Sequence, residues 1–209
     1  MLQVNDVHIR FGHENVIRHF SCHIRQLDFV CLTGKSGCGK SSLLKAFIGL
    51  VPFEGSIHVC GEPLNEKTCD HIRRKTAYLP QDLSFPGEYV QDIVNQTLRL
   101  GTPRPGSNPY EALRQNLSVL GLENDILRKR MSEISGGQRQ RIILAAIALL
   151  DKSLWLLDEP TSALDNLSRN LVIRFLKTQQ EQGRTIVAVS HDQEFAGSCS
   201  HIINLDQTE

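Results

Sequence analysis

A chain of 209 residues supplies one substantial core, or one domain carrying an insert. With 40% apolar and 22% charged residues the composition is that of a globular protein rather than a disordered one. The balance of 23 Lys plus Arg against 23 Asp plus Glu removes any global electrostatic case for nucleic acid or anionic lipid as a partner.

The first six residues, Met1-Leu2-Gln3-Val4-Asn5-Asp6, lack a basic start followed by an apolar stretch, so no secretory leader is expected. Residues Gln3 to Ile9 alternate as a strand does. Phe29-Val30-Cys31-Leu32-Thr33 is a short apolar run that stops at Gly34, the pattern of a buried strand. Leu43, Leu44, Phe47 and Ile48 then follow at helical spacing. Between strand and helix, Gly34-Lys35-Ser36-Gly37-Cys38-Gly39-Lys40-Ser41 matches G-x-x-x-x-G-K-[ST] in full. Glycines let backbone N–H groups turn inward around phosphate oxygens, aided by the N-terminus of the next helix. Lys40 is expected to reach the β- and γ-phosphates and the Ser41 hydroxyl to ligate Mg²⁺. By itself this loop points to nucleotide binding and no further, since kinases, GTPases and transport ATPases share it.

From about Phe85 to Met131, helical patterning is interrupted by the turn-rich Gly101-Thr102-Pro103-Arg104-Pro105-Gly106. The stretch reads as a helical insert in an α/β core. The longest apolar run, Ile142 to Leu150, falls far short of the roughly 20 residues that span a bilayer. Leu154-Trp155-Leu156-Leu157 reads as a buried strand, as do Thr185 to Val189 and Ile202 to Leu205, with a helix from Leu167 to Gln182 closed by Gly183. Strands alternating with helices imply a parallel sheet covered on both faces. At the C-terminal edge of such a sheet acids face the ligand crevice. There Asp158 is placed to hold Mg²⁺, and Glu159 to accept a proton from the attacking water. The six cysteines, Cys22, Cys31, Cys38, Cys60, Cys69 and Cys199, form no C-x-x-C pair and read as reduced thiols, which fits the cytosol.

Ile134-Ser135-Gly136-Gly137-Gln138, before a helix opening with Arg139-Gln140-Arg141, resembles the LSGGQ signature of ATP-binding cassette (ABC) ATPases, with Ile for Leu. Other elements match that family in order. Phe11, 23 positions before Gly34, corresponds to the aromatic that stacks on adenine. Gln81, after Tyr78-Leu79-Pro80, corresponds to the Q-loop glutamine. Ser162-Ala163-Leu164-Asp165 corresponds to the D-loop, and His191 to the switch histidine. Taken singly, Phe11 reads as core, Ser135 as a helix cap and His191 as a structural histidine; the ordered set carries the resemblance. Departures are Ala146, where many members have Arg, and Leu27, where Gly is frequent.

The resemblance covers essentially the whole chain and implies an α/β fold of the ABC ATPase type. A P-loop NTPase, RecA-like core with a parallel sheet is expected at 1–84 and 134–209. An N-terminal antiparallel β subdomain accompanies it, and a helical subdomain is inserted at about 85–133. The implied cofactors are ATP and Mg²⁺. Nucleotide contacts are expected at Phe11, Gly34, Ser36, Gly37, Cys38, Gly39, Lys40, Ser41, Ser42, Ser135, Gly136, Gly137, Gln138 and Asp165, and metal contacts at Ser41, Gln81 and Asp158. Catalytic roles fall to Glu159, His191, Gln81 and Lys40.

Two cassettes are expected to meet head to tail with ATP between them, as a homodimer or heterodimer, one supplying the phosphate loop and the other Ser135 and Gly137. The implied role is the ATPase subunit of a transporter, peripheral on the cytoplasmic face of the plasma membrane and docked on a separate integral membrane permease. Leu83, Phe85, Tyr89 and Val90 are the exposed apolar candidates for that contact, or else the core of the insert. The alternative is a non-transport ABC ATPase acting on ribosomes or DNA, but no nucleic acid partner is expected. The short insert and the Asp125-Ile126-Leu127 stretch are similar to a bacterial iron-export ATPase group, and no regulatory C-terminal domain is expected.

Overall fold

The computed structural model describes residues 1–83, 87–101 and 108–207. Two long antiparallel strands open the chain, β1 (Leu2–Phe11) and β2 (Glu14–Ile24). The short β3 (Phe29–Thr33) then leads into α1 (Lys40–Ala46). Next come β4 (Glu54–Val59), β5 (Glu62–Pro63), α2 (Cys69–Lys75) and β6 (Thr76–Leu79). Helices α3 (Val90–Arg99), α4 (Pro109–Val119) and α5 (Gly136–Ile147) follow. The chain finishes with β7 (Leu154–Asp158), α6 (Asn166–Glu181), β8 (Thr185–Val189), α7 (Gln193–Ser198) and β9 (His201–Asn204).

The strands form two sheets. One has four strands in the order β2-β1-β4-β5, paired antiparallel; the other has five in the order β6-β7-β8-β3-β9, all parallel. Every residue of β7 and β8 is buried, which is why these strands read as continuous apolar runs rather than alternating ones. Their side chains divide between two cores by the two-residue period of a strand. Trp155, Leu157, Ile186 and Ala188 face the core built with α3 to α7. Leu154, Leu156, Val187 and Val189 face the core shared with α1 and the antiparallel sheet. Each fully buried aliphatic or aromatic side chain there contributes about 1.5–3 kcal/mol.

Caps fix where the helices start. Asn108 Oδ1 accepts the Tyr110 N–H at 3.1 Å, and Pro109 takes the first helical position. Ser135 and Gln138 form a reciprocal capping box, with Ser135 Oγ accepting the Gln138 N–H at 3.1 Å and Gln138 Oε1 accepting the Ser135 N–H at 2.9 Å. Asp165 accepts the Ser168 N–H at 2.7 Å and starts α6.

Of the apolar candidates, Val90 is fully buried, its side chain packed in the core beside α5, and Leu83 packs partly buried against the same core. Val90 thus takes the core alternative, because the apolar face of α3 is used by the fold itself. Tyr89 is exposed; Phe85 and most of the 101–106 loop lie outside the described residues. Leu27 holds φ = 69°, a left-handed conformation that Gly adopts at no steric cost.

Candidate functional site

The parallel order β6-β7-β8-β3 brings four strand ends to one edge of the sheet. Gln81 follows β6, Asp158 and Glu159 end β7, His191 follows β8 and the phosphate loop follows β3. This is the edge where open α/β sheets bind ligands. A cleft of about 790 Å³ lies over it. Its walls include Phe11, Ser36, Gly37, Gly39, Lys40, Ser41, Ser42, Gln81, Glu159 and His191.

The phosphate loop is held by its own chain. Lys40 is buried, and its Nζ donates to the carbonyls of Gly34 at 2.9 Å and Lys35 at 2.7 Å. Asp206, beyond β9, accepts the Lys35 N–H at 3.1 and 3.0 Å. Gly39 takes φ = 93° just before α1, and a Cβ there would stand 2.6 Å from Val16 Cγ1 and 2.8 Å from Ile17 Cδ1, so a larger residue would strain the backbone and displace these two side chains. Cys38 sits behind the loop with its Sγ 3.8 Å from Lys40 Nζ.

Asp158 is buried, and Ser41 Oγ donates to its Oδ1 at 3.0 Å. Burial pushes the Asp158 carboxyl above its ordinary range, and the Ser41 hydrogen bond only partly opposes this. Two hard oxygen donors, one on a carboxylate whose charge is penalised by burial, fit a small divalent cation such as Mg²⁺.

Glu159 is also held above the usual carboxylate range, first by burial, with the nearby His191 pulling the other way. Its Oε1 is buried without a hydrogen bond, and His191 Nε2 lies 3.4 Å away. The Glu159 backbone is unusual: φ is 51°, a left-handed conformation that costs a non-glycine residue of order 1–3 kcal/mol. Several bonds pin it. Its N–H donates to the Val189 carbonyl at 3.0 Å, and its carbonyl accepts from Gln140 Nε2 at 2.6 Å and Ser162 Oγ at 3.2 Å.

Other predicted residues stand elsewhere in this single chain. Ser135, Gly136, Gly137 and Gln138 open α5 and do not line the cleft, and neither does Asp165, which caps α6. A Cβ on Gly137 would lie 2.7 Å from the Ala163 carbonyl oxygen, so the N-terminus of α5 is packed directly on the D-loop backbone. The Ser168 N–H bond holds the Asp165 carboxyl below its usual range.

Three contributors were not singled out by sequence reasoning. Gln140 is buried and reaches Glu159; set between Arg139 and Arg141 in the polar first half of α5, it gave no signal of burial. Arg169 lines the cleft and pairs with Asp192 at 2.5 Å, tying α6 to the segment after His191. Asp206 was invisible because its partner is a backbone N–H 171 positions away.

A family model described as "ABC transporter" matches residues 17–162. The zinc transport system ATP-binding protein TroB of Treponema pallidum is 30% identical over 198 residues, covering 91% of this chain and 72% of TroB. The phosphonates import ATP-binding protein PhnC of Trichormus variabilis is 34% identical over 187 residues, covering 85% of this chain and 76% of PhnC. Among solved structures, the ATP-binding cassette MJ0796, dimeric in a post-hydrolysis state with ADP and Pi, matches with a TM-score of 0.84 at 25% identity, over 98% of this chain and 94% of that one.

Proposed function

The chain belongs to the ABC transporter family as an ATP-binding, ATP-hydrolysing subunit, and from that membership we propose that Glu159 is the base that takes a proton from the water attacking the γ-phosphate of ATP. The observation that carries this is the Glu159 carboxylate at the end of β7, lining the same cleft as the phosphate loop. As the water oxygen bonds to the γ-phosphorus, the bond to the β-phosphate oxygen breaks and the proton passes to the Glu159 carboxylate. The raised affinity of this carboxyl for protons strengthens it as a base.

Lys40 supplies its ammonium to the β- and γ-phosphates, and Phe11, half exposed at the cleft mouth, stacks on the adenine. His191 stands beside Glu159 and donates to the γ-phosphate, orienting the water. Ser41 and Asp158 would hold Mg²⁺, with Gln81 as a further contact, and the ion would supply charge neutralisation for the transferring phosphoryl group.

Completion of the site requires a second cassette, whose Ser135 and Gly137 bring a helix N-terminus to the γ-phosphate. Residues 87–101 and 108–133 make up a helical subdomain on the RecA-like core. Among the described residues no helix is long and apolar enough to cross a membrane. Relatives named as ATP-binding proteins of transport systems support delivery of the work to a permease at the cytoplasmic face. A groove of about 480 Å³ suits that contact. Its walls include Tyr78 and Pro80, just before Gln81, together with Leu100 from the end of α3 and Ile143, Ile147 and Leu150. Relatives of comparable similarity are named for cargoes as unlike as zinc and phosphonates, which supports a cassette that drives transport without selecting the cargo.

Glu159→Gln tests the assignment. The variant is expected to bind ATP, to lose nearly all turnover and to dimerise when ATP is added. Turnover at the wild-type rate would remove Glu159 from the role of base.

A further inference from the structure

The outer face of the antiparallel sheet carries a cluster that the ATPase chemistry does not use. Asp6 and His8 lie on β1 and His19 on β2, and one ligand atom from each lies within 4.8 Å of the other two. His19 Nδ1 is 2.7 Å and His8 Nε2 is 3.3 Å from the same oxygen, Asp6 Oδ1. The two imidazole rings meet edge to face with centroids 4.3 Å apart. None of the three lines the nucleotide cleft.

The backbone is shaped to make this meeting. Asp6 and His19 both take left-handed conformations, φ = 49° and 48°. The register shifts once between Val4 and Val7 and again between Val7 and Ile9, so β1 and β2 each carry a bulge at the paired positions. The Asp6 bulge also displaces β1 against β4, where Gly55 sits so close that a Cβ would stand 2.3 Å from the Asp6 carbonyl oxygen. Glu54 pairs with His8 on β4 and adds negative charge beside the cluster. In a regular strand Asn5 and Asp6 would point to opposite faces; the bulge turns both outward.

We propose that Asp6, His8 and His19 form a binding site for a divalent transition-metal ion, best matched to Zn²⁺. Two imidazole nitrogens and one carboxylate oxygen are a borderline donor set that favours Zn²⁺ over Mg²⁺ or Ca²⁺. Zinc bonds of about 2.1 Å at tetrahedral angles set ligand atoms roughly 3.4 Å apart. The His8–Asp6 spacing of 3.3 Å already fits, and the exposed His19 ring has only to swing outward. The ion ties the two bulged strands together on the hairpin that carries Phe11 to the nucleotide cleft.

The test is calorimetric titration of metal-free protein with Zn²⁺ in excess Mg²⁺, without nucleotide. Asp6→Asn and His19→Asn are the informative variants, because Asn tolerates the left-handed backbone and keeps the bulges; His8→Ala completes the set, and exposed His23→Ala is the control. One Zn²⁺ per chain in the micromolar range is expected. Loss of a ligand should weaken it by at least about tenfold, with the His23→Ala variant unchanged. Absence of micromolar Zn²⁺ binding to the wild-type chain overturns the proposal. So does binding that survives in all three variants, since the half-buried thiols would then be the ligands.

Discussion

Gln140→Leu separates positioning of Glu159 from stability of the fold. Leu fills nearly the same buried volume and removes one hydrogen bond, from Gln140 Nε2 to the Glu159 carbonyl at 2.6 Å. A hydrogen bond of this kind has a net worth of about 0.5–1.5 kcal/mol. The other end of the amide works against it: Gln140 Oε1 is buried without a partner, and removing such a group returns about 1–3 kcal/mol. The carbonyl is not abandoned either, because Ser162 Oγ still donates to it. Stability should therefore change little, within about 1 kcal/mol of wild type by urea unfolding. Catalysis should not escape. The strained φ of 51° at Glu159 loses one restraint, and the equilibrium between strained and relaxed backbone shifts by no more than that restraint supplied. A shift of about 0.5–1.5 kcal/mol corresponds to a fall in kcat of roughly two- to tenfold. The KM for ATP should hold, since Gln140 does not itself line the cleft and reaches it only through the Glu159 backbone. Steady-state turnover against ATP concentration reads both numbers. An unchanged kcat, or a KM that rises while kcat holds, refutes the positioning argument. A loss beyond about a hundredfold also refutes it, because one neutral hydrogen bond cannot supply that much.

Burial raises the Asp158 carboxyl above its unfolded value, so its ionised form opposes folding. The penalty is absent below the unfolded pKa of about 3.9 and grows as pH rises through the higher folded value; Asp158→Asn should thus melt above wild type at neutral pH, the gap closing towards pH 4, while Mg²⁺-dependent turnover is lost. An unchanged or lowered melting temperature at neutral pH contradicts the sign. Leu27→Gly relieves a left-handed Leu worth about 1–2 kcal/mol against the chain entropy of Gly, about 0.5–1 kcal/mol; a gain near 0.5 kcal/mol by chemical denaturation is expected, and a clear loss would mean the half-exposed side chain packs more than its surroundings indicate. Gly137→Ala places a methyl 2.7 Å from the Ala163 carbonyl oxygen and 2.9 Å from Leu164 Cδ2. Overpacking of that kind costs about 1–3 kcal/mol, read as a lower urea midpoint with an unchanged slope.

Buried strands were the most legible part of the sequence. β3 and β8 occupy the residues their apolar runs indicate, and α6 differs by one position at each end because Asp165 caps it one residue earlier than the periodicity suggests. Central parallel strands are apolar on both faces, so nothing competes with the signal. The antiparallel sheet was harder. Paired bulges at Asp6 and His19 break the alternation of β1 and β2 and come from long-range pairing that no local window contains. Val90 was left open between docking surface and core because whether an apolar residue at a helix start faces solvent or core depends on α5, some 46 positions on. Within the cleft, the phosphate loop and the acids at the end of β7 announced themselves by fixed local spacing. Gln140, Arg169 and Asp206 did not, because each acts on a backbone group or side chain far away in sequence.

Lys40 holds two carbonyls of its own loop, and Asp206 clamps the Lys35 N–H near that loop's start. The grip is therefore shaped before any ligand arrives, and little ordering entropy is lost when one does. A preformed grip of this kind takes hold of a diphosphate as readily as a triphosphate. Recognition of the terminal phosphate is left to groups outside the loop. Product is then expected to compete with fuel for the same seat, and turnover to follow the proportion of ATP to ADP more than the amount of ATP. When energy runs short, spent nucleotide in the loop should slow turnover while ATP is still present.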